Sequence, residues 1–332
     1  MNQIMKTLSK TKVQRLIALV LVAVTVLYPI LFRESTYIHL IICTLGIYMI
    51  VNTGFDILFG YSGQISLGQA GFYAIGAYFS AILSKAGVPV VLAMLFAATI
   101  AAIVGYVLAI PCSKLVHHFL AIVTIGFGEI VRLLALNGPT KLTGGANGIG
   151  GIPPVSLFGF QLTSKAAYLY FVLALVLLFL VIKHRIVDSR VGRAMQAIKC
   201  NPDASEAFGM KLSRYKSMAF TIAAFYAGVG GALYAHLVRF ISPDTFTNKQ
   251  SVMFLTMLLF GGSASVGGTV TGVFTVQFLN EILRSAERYQ LLIYGILLLL
   301  VILAFPGGLY GLIKQVIAKI KSKKGEKANA AS

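Results

Sequence analysis

Residues 88–110 read VPVVLAMLFAATIAAIVGYVLAI, a run without a single charged side chain. A helix rises about 1.5 Å per residue, so a run of this length covers the ~30 Å hydrocarbon core of a bilayer. Its apolar residues are not confined to one stripe, so the helix has no face for bulk water. Comparable runs lie at Leu16–Phe32, Tyr37–Phe59, Leu67–Leu83, His117–Leu136, Ala167–Ile182, Met218–Val238, Ser251–Leu283 and Leu291–Phe305. They are continuous rather than alternating, which predicts an all-α, polytopic transmembrane helical bundle and not a barrel. Composition agrees: the chain has 332 residues, 58% hydrophobic and only 11% charged, with mean hydropathy +0.85. A soluble domain needs about a quarter of its residues charged.

The net charge of +18 is concentrated in three places. These are the N-terminus (Lys6, Lys10, Lys12, Arg15), the segment Lys183–Lys216, and the tail with Lys314, Lys319, Lys321, Lys323, Lys324 and Lys327. In a membrane protein such clusters mark the cytoplasmic side, and this placement argues against nucleic acid as a partner. The first apolar run follows a basic stretch like a secretory signal, but Tyr28-Pro29-Ile30-Leu31-Phe32-Arg33 lacks a small-x-small cleavage site. It is read as a retained span. The chain thus divides into a basic N-terminus (1–15), a transmembrane unit (16–310) with a cytoplasmic loop at 184–216, and a basic tail (311–332).

With the N-terminus inside, six crossings return the chain to the inside where the basic loop begins. The span at 218–238 leads out, and 291–305 leads back to the Lys-rich tail. Between them Gly261-Gly262-Ser263-Ala264-Ser265-Val266-Gly267-Gly268-Thr269 interrupts the run 251–283, because repeated glycine weakens a helix. The segment is either two short crossings or a re-entrant loop, for eight to ten spans in all. Broken backbone at membrane depth is tolerated only inside protein or beside a wet cavity, which makes Gly261, Gly262, Gly267 and Gly268 pathway candidates. The external loop Asn137–Ser164, with Gly144-Gly145-Ala146-Asn147-Gly148-Ile149-Gly150-Gly151 and Pro153-Pro154, reads as turns, either a plain connector or part of a docking surface.

In the basic loop, Asn201-Pro202-Asp203-Ala204-Ser205-Glu206-Ala207-Phe208-Gly209 carries an N-cap, a proline at the first helical position, acids in the first turn and a terminating glycine. It predicts a two-turn helix, which either stiffens the loop or presents a rigid knob.

Other polar residues sort by position. Ala70, Ala74, Ala77 and Ala81 recur at helical spacing and predict close helix packing. Gly63-Gln64-Ile65-Ser66, at the entry of that span, offers amide groups to a passing solute, so Gln64, Ser66 and Gln69 are pathway candidates. Glu129 lies inside a span, with Arg132 three residues on along the same face; the two read as a local ion pair or as a coupling carboxylate. Asp56 is the one other acid well inside a span, a poor supply for proton or sodium coupling. The stretch 262–269 mimics a phosphate-binding loop, but Gly268 stands where the lysine belongs, so no nucleotide site is predicted. His39, His117, His118 and His236 and the dispersed Cys43, Cys112 and Cys200 form no metal-ligand or catalytic constellation. No cofactor, metal site or enzyme is expected, and a source of energy must be another polypeptide.

Several stretches resemble the permease subunits of the branched-chain amino acid importer family, LivM-type in particular. They are Gly60-Tyr61-Ser62-Gly63-Gln64-Ile65-Ser66-Leu67-Gly68-Gln69-Ala70-Gly71-Phe72, the run Leu120–Arg132 continuing through Leu142–Ile149, and Ala232–His236 with Ile241–Phe246 and Gly261-Gly262. Glu206-Ala207-Phe208-Gly209 is similar to the Glu-Ala-x-Gly core by which ABC importer permeases meet their ATPases. The resemblance covers most of 45–310; Gln69, where the family often has His, and Phe305-Pro306-Gly307-Gly308 depart from it. It implies a bacterial inner-membrane permease with cytoplasmic termini, a second LivH-like permease chain, two cytoplasmic ATP-binding subunits and an extracytoplasmic solute-binding protein. It further implies that Pro202, Asp203, Glu206, Ala207, Phe208, Gly209 and Met210 form the ATPase-coupling loop, with Phe208 and Met210 as apolar anchors. Arg193, Lys199, Arg214 and Lys216 then orient the loop or meet lipid headgroups. The expected cargo is a branched-chain amino acid. Urea or short amides, carried by related permeases, a secondary transporter using Glu129, and a passive channel are the alternatives.

Overall fold

A computed structural model describes residues 36–113, 117–157, 160–161 and 164–283, with 292–293, 295–296, 299 and 308–311. The expected first span at Leu16–Phe32, both basic termini and most of the last span at 291–305 lie outside these residues. The principal helices are α1 (Thr36–Asp56), α2 (Gln69–Lys85), α3 (Val90–Cys112), α4 (His117–Asn137), α5 (Lys165–Asp188), α6 (Arg190–Cys200), α7 (Pro202–Ala207), α8 (Leu212–Val238), α9 (Asn248–Gly261) and α10 (Val266–Ile282). A wide π-helical turn, Ile57–Tyr61, closes α1.

Cross-links define two ends of the bundle. At one, Ser113 bonds Ser213 at 2.6 Å and Lys199 donates to the Gly60 carbonyl at 2.6 Å; this end carries α6 and α7 and is called the basic end. At the other, Lys85 donates to the Gly150 carbonyl at 3.0 Å, and Ile149–Gly150 pairs antiparallel with Phe240–Ile241. The helices α1, α2, α3, α4, α5, α8, α9 and α10 make up the bundle among the described residues. Five segments, Tyr37–Tyr61, Val90–Cys112, Phe119–Asn137, Lys165–Asp188 and Leu212–Val238, are long and apolar enough to cross a membrane. Leu95, Phe96, Ile103, Tyr106, Val107 and Ile110 of α3 are each at least 52% exposed, an outer surface suited to lipid.

The packing centre is α8, which touches α1, α2 and α3. Small residues let the backbones meet: a Cβ on Gly76 would lie 2.0 Å from the Gly228 carbonyl oxygen, and one on Gly231 would lie 1.8 Å from that of Tyr73. Ala70, Ala74, Ala77 and Ala81 are all buried, as their packing role requires. Tyrosine hydroxyls tie α5 to α8, Tyr168 to the Leu233 carbonyl at 2.6 Å and Tyr226 to that of Phe179 at 3.1 Å.

The glycine-rich interruption separates two antiparallel helices that pack backbone to backbone, Gly261 against Gly268 and Gly272 against Met257. It is therefore a hairpin of short helices, and its turn lies at the basic end beside Asp56. The basic loop is shorter than expected at both ends: α5 runs on to Asp188 and α8 begins at Leu212, leaving 189–211.

Candidate functional site

The basic end is built from its caps. Ser189 accepts from the Gly192 amide at 3.3 Å and starts α6, whose Met195 and Ile198 are buried while its basic residues face outward. Asn201 accepts from the Ala204 amide at 3.0 Å and starts α7 at Pro202. The helix ends where Gly209, at φ +79°, turns back so that the Met210 amide bonds the Ser205 carbonyl at 3.1 Å. Pro202, Asp203, Glu206, Ala207, Phe208 and Gly209 are all exposed, Phe208 at 87%; Met210 is half-buried.

The flanks of this knob are tied to the broken start of α2. A groove of about 340 Å³ is lined by Phe59, Ser62, Gly63 and Ile65 on one side and by Ile198, Lys199, Pro202 and Lys216 on the other. Besides the Lys199–Gly60 bond, the Gln64 amide donates to the Lys216 carbonyl at 3.0 Å and to the Ser62 hydroxyl at 2.7 Å. Residues 62–68 are non-helical. Side chains satisfy them: Leu67 donates to the Thr124 hydroxyl at 2.9 Å, Gly68 to that of Ser66 at 3.4 Å, and Ala70 to that of Ser251 at 2.9 Å. Such a segment at span depth needs protein around it, and Gln64, Ser66 and Gln69 are all buried. Gln69 is fully buried, and neither atom of its amide has a partner among the described residues.

The second constellation was not anticipated. Lys183, read from sequence as the first cation of the basic loop, is 0% exposed and donates to Asp56 at 2.6 Å and to the Thr269 hydroxyl at 3.1 Å. The other Asp56 oxygen accepts the Ala264 amide at 2.7 Å, holding the hairpin turn in which Ala264 has φ +58°. The cluster thus joins α1, α5 and the glycine-rich turn. The signal lay in spacing: Val172, Val176, Phe179 and Lys183 form one buried line along α5. Gly308, at φ +65°, backs directly onto Gly262.

On α4, Arg132 grips Glu129 with three hydrogen bonds of 2.6, 3.0 and 3.2 Å, the expected local pair. Its other nitrogen lies 3.7 Å from Asp244, a partner the sequence did not reveal. His236 is buried and bridges Ser80 and the Pro153 carbonyl, each at 2.8 Å. Since a carbonyl only accepts, Nδ1 carries the proton and Nε2 receives the serine hydroxyl.

The pathway candidates therefore fall into two neighbourhoods: Gln64, Ser66 and Gln69 along the broken start of α2, and Gly261, Gly262, Gly267 and Gly268 in the hairpin clamped by Asp56. Tyr61 joins them by donating to the Ala264 carbonyl at 3.0 Å.

Residues 37–302 match the family model described as branched-chain amino acid transport system / permease component. The high-affinity branched-chain amino acid transport system permease protein LivM of Escherichia coli is 34% identical over 95% of this chain and 79% of its own length. LivM of Salmonella typhimurium is 33% identical over the same shares, and LivH of Salmonella typhimurium is 26% identical over 81% of this chain and 92% of its own. No solved structure matches the chain. A helical, multi-pass bundle whose matched region includes the broken α2 entry, the capped knob and the glycine-rich hairpin belongs to the branched-chain amino acid transport system permease family.

Proposed function

We propose that this chain is one permease subunit of an ATP-driven importer of branched-chain amino acids in a bacterial inner membrane. The basic end faces the cytoplasm, by the positive charge of α6 and of the start of α8. There α7 docks into a cytoplasmic ATP-binding subunit, one of two, with Phe208 and Met210 as anchors and Glu206, Ala207 and Gly209 shaping the contact. The opposite end, with the turns of 138–155, receives the solute-binding protein. A second, LivH-like permease completes the pathway, and ATP is hydrolysed on the partner chains.

The observation that carries this reading is Phe208. A phenylalanine 87% exposed at the end of a doubly capped helix is left unpacked by the described residues, and a partner pocket gives it a use. Force applied there reaches the pathway through the Lys199–Gly60 and Lys216–Gln64 bonds, which end on the π-helical turn closing α1 and on the broken start of α2. The hairpin glycines, held by Asp56, form the neighbouring wall. Ion coupling through Glu129 is disfavoured, because Arg132 already occupies both of its oxygens.

The test is Phe208→Ala in the importer co-expressed with its ATP-binding subunits. The permease is expected to fold and insert normally while its recovery with those subunits and ATP-dependent leucine uptake both fall at least about tenfold, the loss of one buried aromatic anchor. Undiminished recovery and uptake would refute the assignment of α7.

A further inference from the structure

Glu129 lies about 18 Å along α4 from His117, well inside a membrane-crossing helix. Yet the side chains of Glu129 and Arg132 are 37% and 21% exposed, and that of Asp244 is 84% exposed. Charges presented to hydrocarbon at that depth are strongly disfavoured, so this face of α4 meets water or protein, not lipid tails.

Among the described residues the network is also unbalanced and incompletely bonded. Two carboxylates face one guanidinium, for a net charge of −1. Arg132 spends Nε and Nη2 on Glu129, while Nη1 stands 3.7 Å from Asp244, outside hydrogen-bond range. Nη1 therefore has donors to offer, and Asp244 an acceptor, side by side. One turn before Glu129, Gly126 leaves a notch, since a Cβ there would meet nothing within 4 Å, and Ile122 and Ile130 flank it at 66% and 58% exposure.

We propose that Arg132 and Asp244 form a station for the zwitterionic head of the solute on the wall of the pathway. The solute's carboxylate accepts from Nη1 of Arg132, its ammonium lies against Asp244, and its apolar side chain occupies the notch at Gly126. Glu129 is a positioning residue that fixes the guanidinium. The assignment rests on the amino acid permease reading and deepens it: urea or a neutral amide would leave both charges unsatisfied, so the station selects against them.

The test uses the complete importer, with its binding protein, in proteoliposomes supplied with ATP and L-leucine. Asp244 is too exposed to matter for folding, so Asp244→Asn is expected to lower uptake about tenfold, as for a lost charge-assisted contact, while Asp244→Glu stays within about threefold of the parent. Recovery of the assembled complex is expected to be the same for all three. Uptake by Asp244→Asn within about twofold of the parent, an equal loss in Asp244→Glu, or failure of Asp244→Asn to assemble would each overturn the station. Leucine uptake by the parent without ATP would instead overturn the importer reading, and the ratio of variant to parent would still report on Asp244.

Discussion

Asp56 and Lys183, far apart in sequence, form an ion pair with both side chains fully buried, and the same carboxylate holds the backbone of Ala264. Removing one member of such a pair strands a charge in the protein interior, which costs about 3–5 kcal/mol, whereas replacing both by apolar groups is often neutral. Asp56→Asn and Lys183→Met are therefore expected to lower the thermal midpoint of the purified complex sharply. The double variant Asp56→Leu/Lys183→Met is expected to recover stability but not uptake, because nothing then anchors the glycine-rich turn. Recovery of both together would show that the pair serves packing alone.

Two glycines give opposite expectations. A methyl on Gly76 has no room against the Gly228 carbonyl, so Gly76→Ala forces α2 and α8 apart and is expected to cost about 1–3 kcal/mol, read as reduced yield and lower thermal stability. Gly126 faces open space, and Gly126→Ala there gains helix propensity of up to about 1 kcal/mol in the isolated chain. Equal destabilisation by both substitutions would contradict the packing described for α2 and α8.

The membrane helices were legible because burial in lipid leaves a composition signal at every position, and their observed ends fall near the edges of the apolar runs. The helix α7 was legible because its caps are local: Asn201, Pro202 and Gly209 act on backbone atoms a few residues away. Three features were missed for physical reasons. In α6 the basic residues obscured the Ser189 cap and the buried face of Gly192, Met195 and Ile198. Lys183 was assigned by its charge to the aqueous loop, although its spacing placed it on the buried line of α5. The contact of Arg132 with Asp244 had no local signal, because it depends on how the turn at Pro243–Phe246 returns beside α4.

The Asn201 cap isolates the knob from the rest of the fold. Its side chain satisfies the Ala204 amide, and a cap of this kind contributes about 1 kcal/mol. Asn201→Ala is expected to speed amide exchange across 203–208 and weaken recovery with the ATP-binding subunits, while the thermal midpoint of the bundle stays unchanged. A fall in that midpoint would mean that α7 is packed into the core, against its exposed surface.

Gln64 connects the two halves of the proposed transmission. Its amide donates to the Lys216 carbonyl on one side and to Ser62 on the other, so Gln64→Ala frees a mostly buried acceptor at a cost of about 1–3 kcal/mol. The expected result is a coupling defect rather than collapse: ATP hydrolysis stimulated by the loaded binding protein persists, and the solute moved per ATP falls several-fold. A solute-contact role gives a different pattern, with a raised half-saturation for uptake and an unchanged ratio at saturating solute. Measuring both quantities in the same proteoliposomes therefore decides whether this buried amide transmits force or touches cargo.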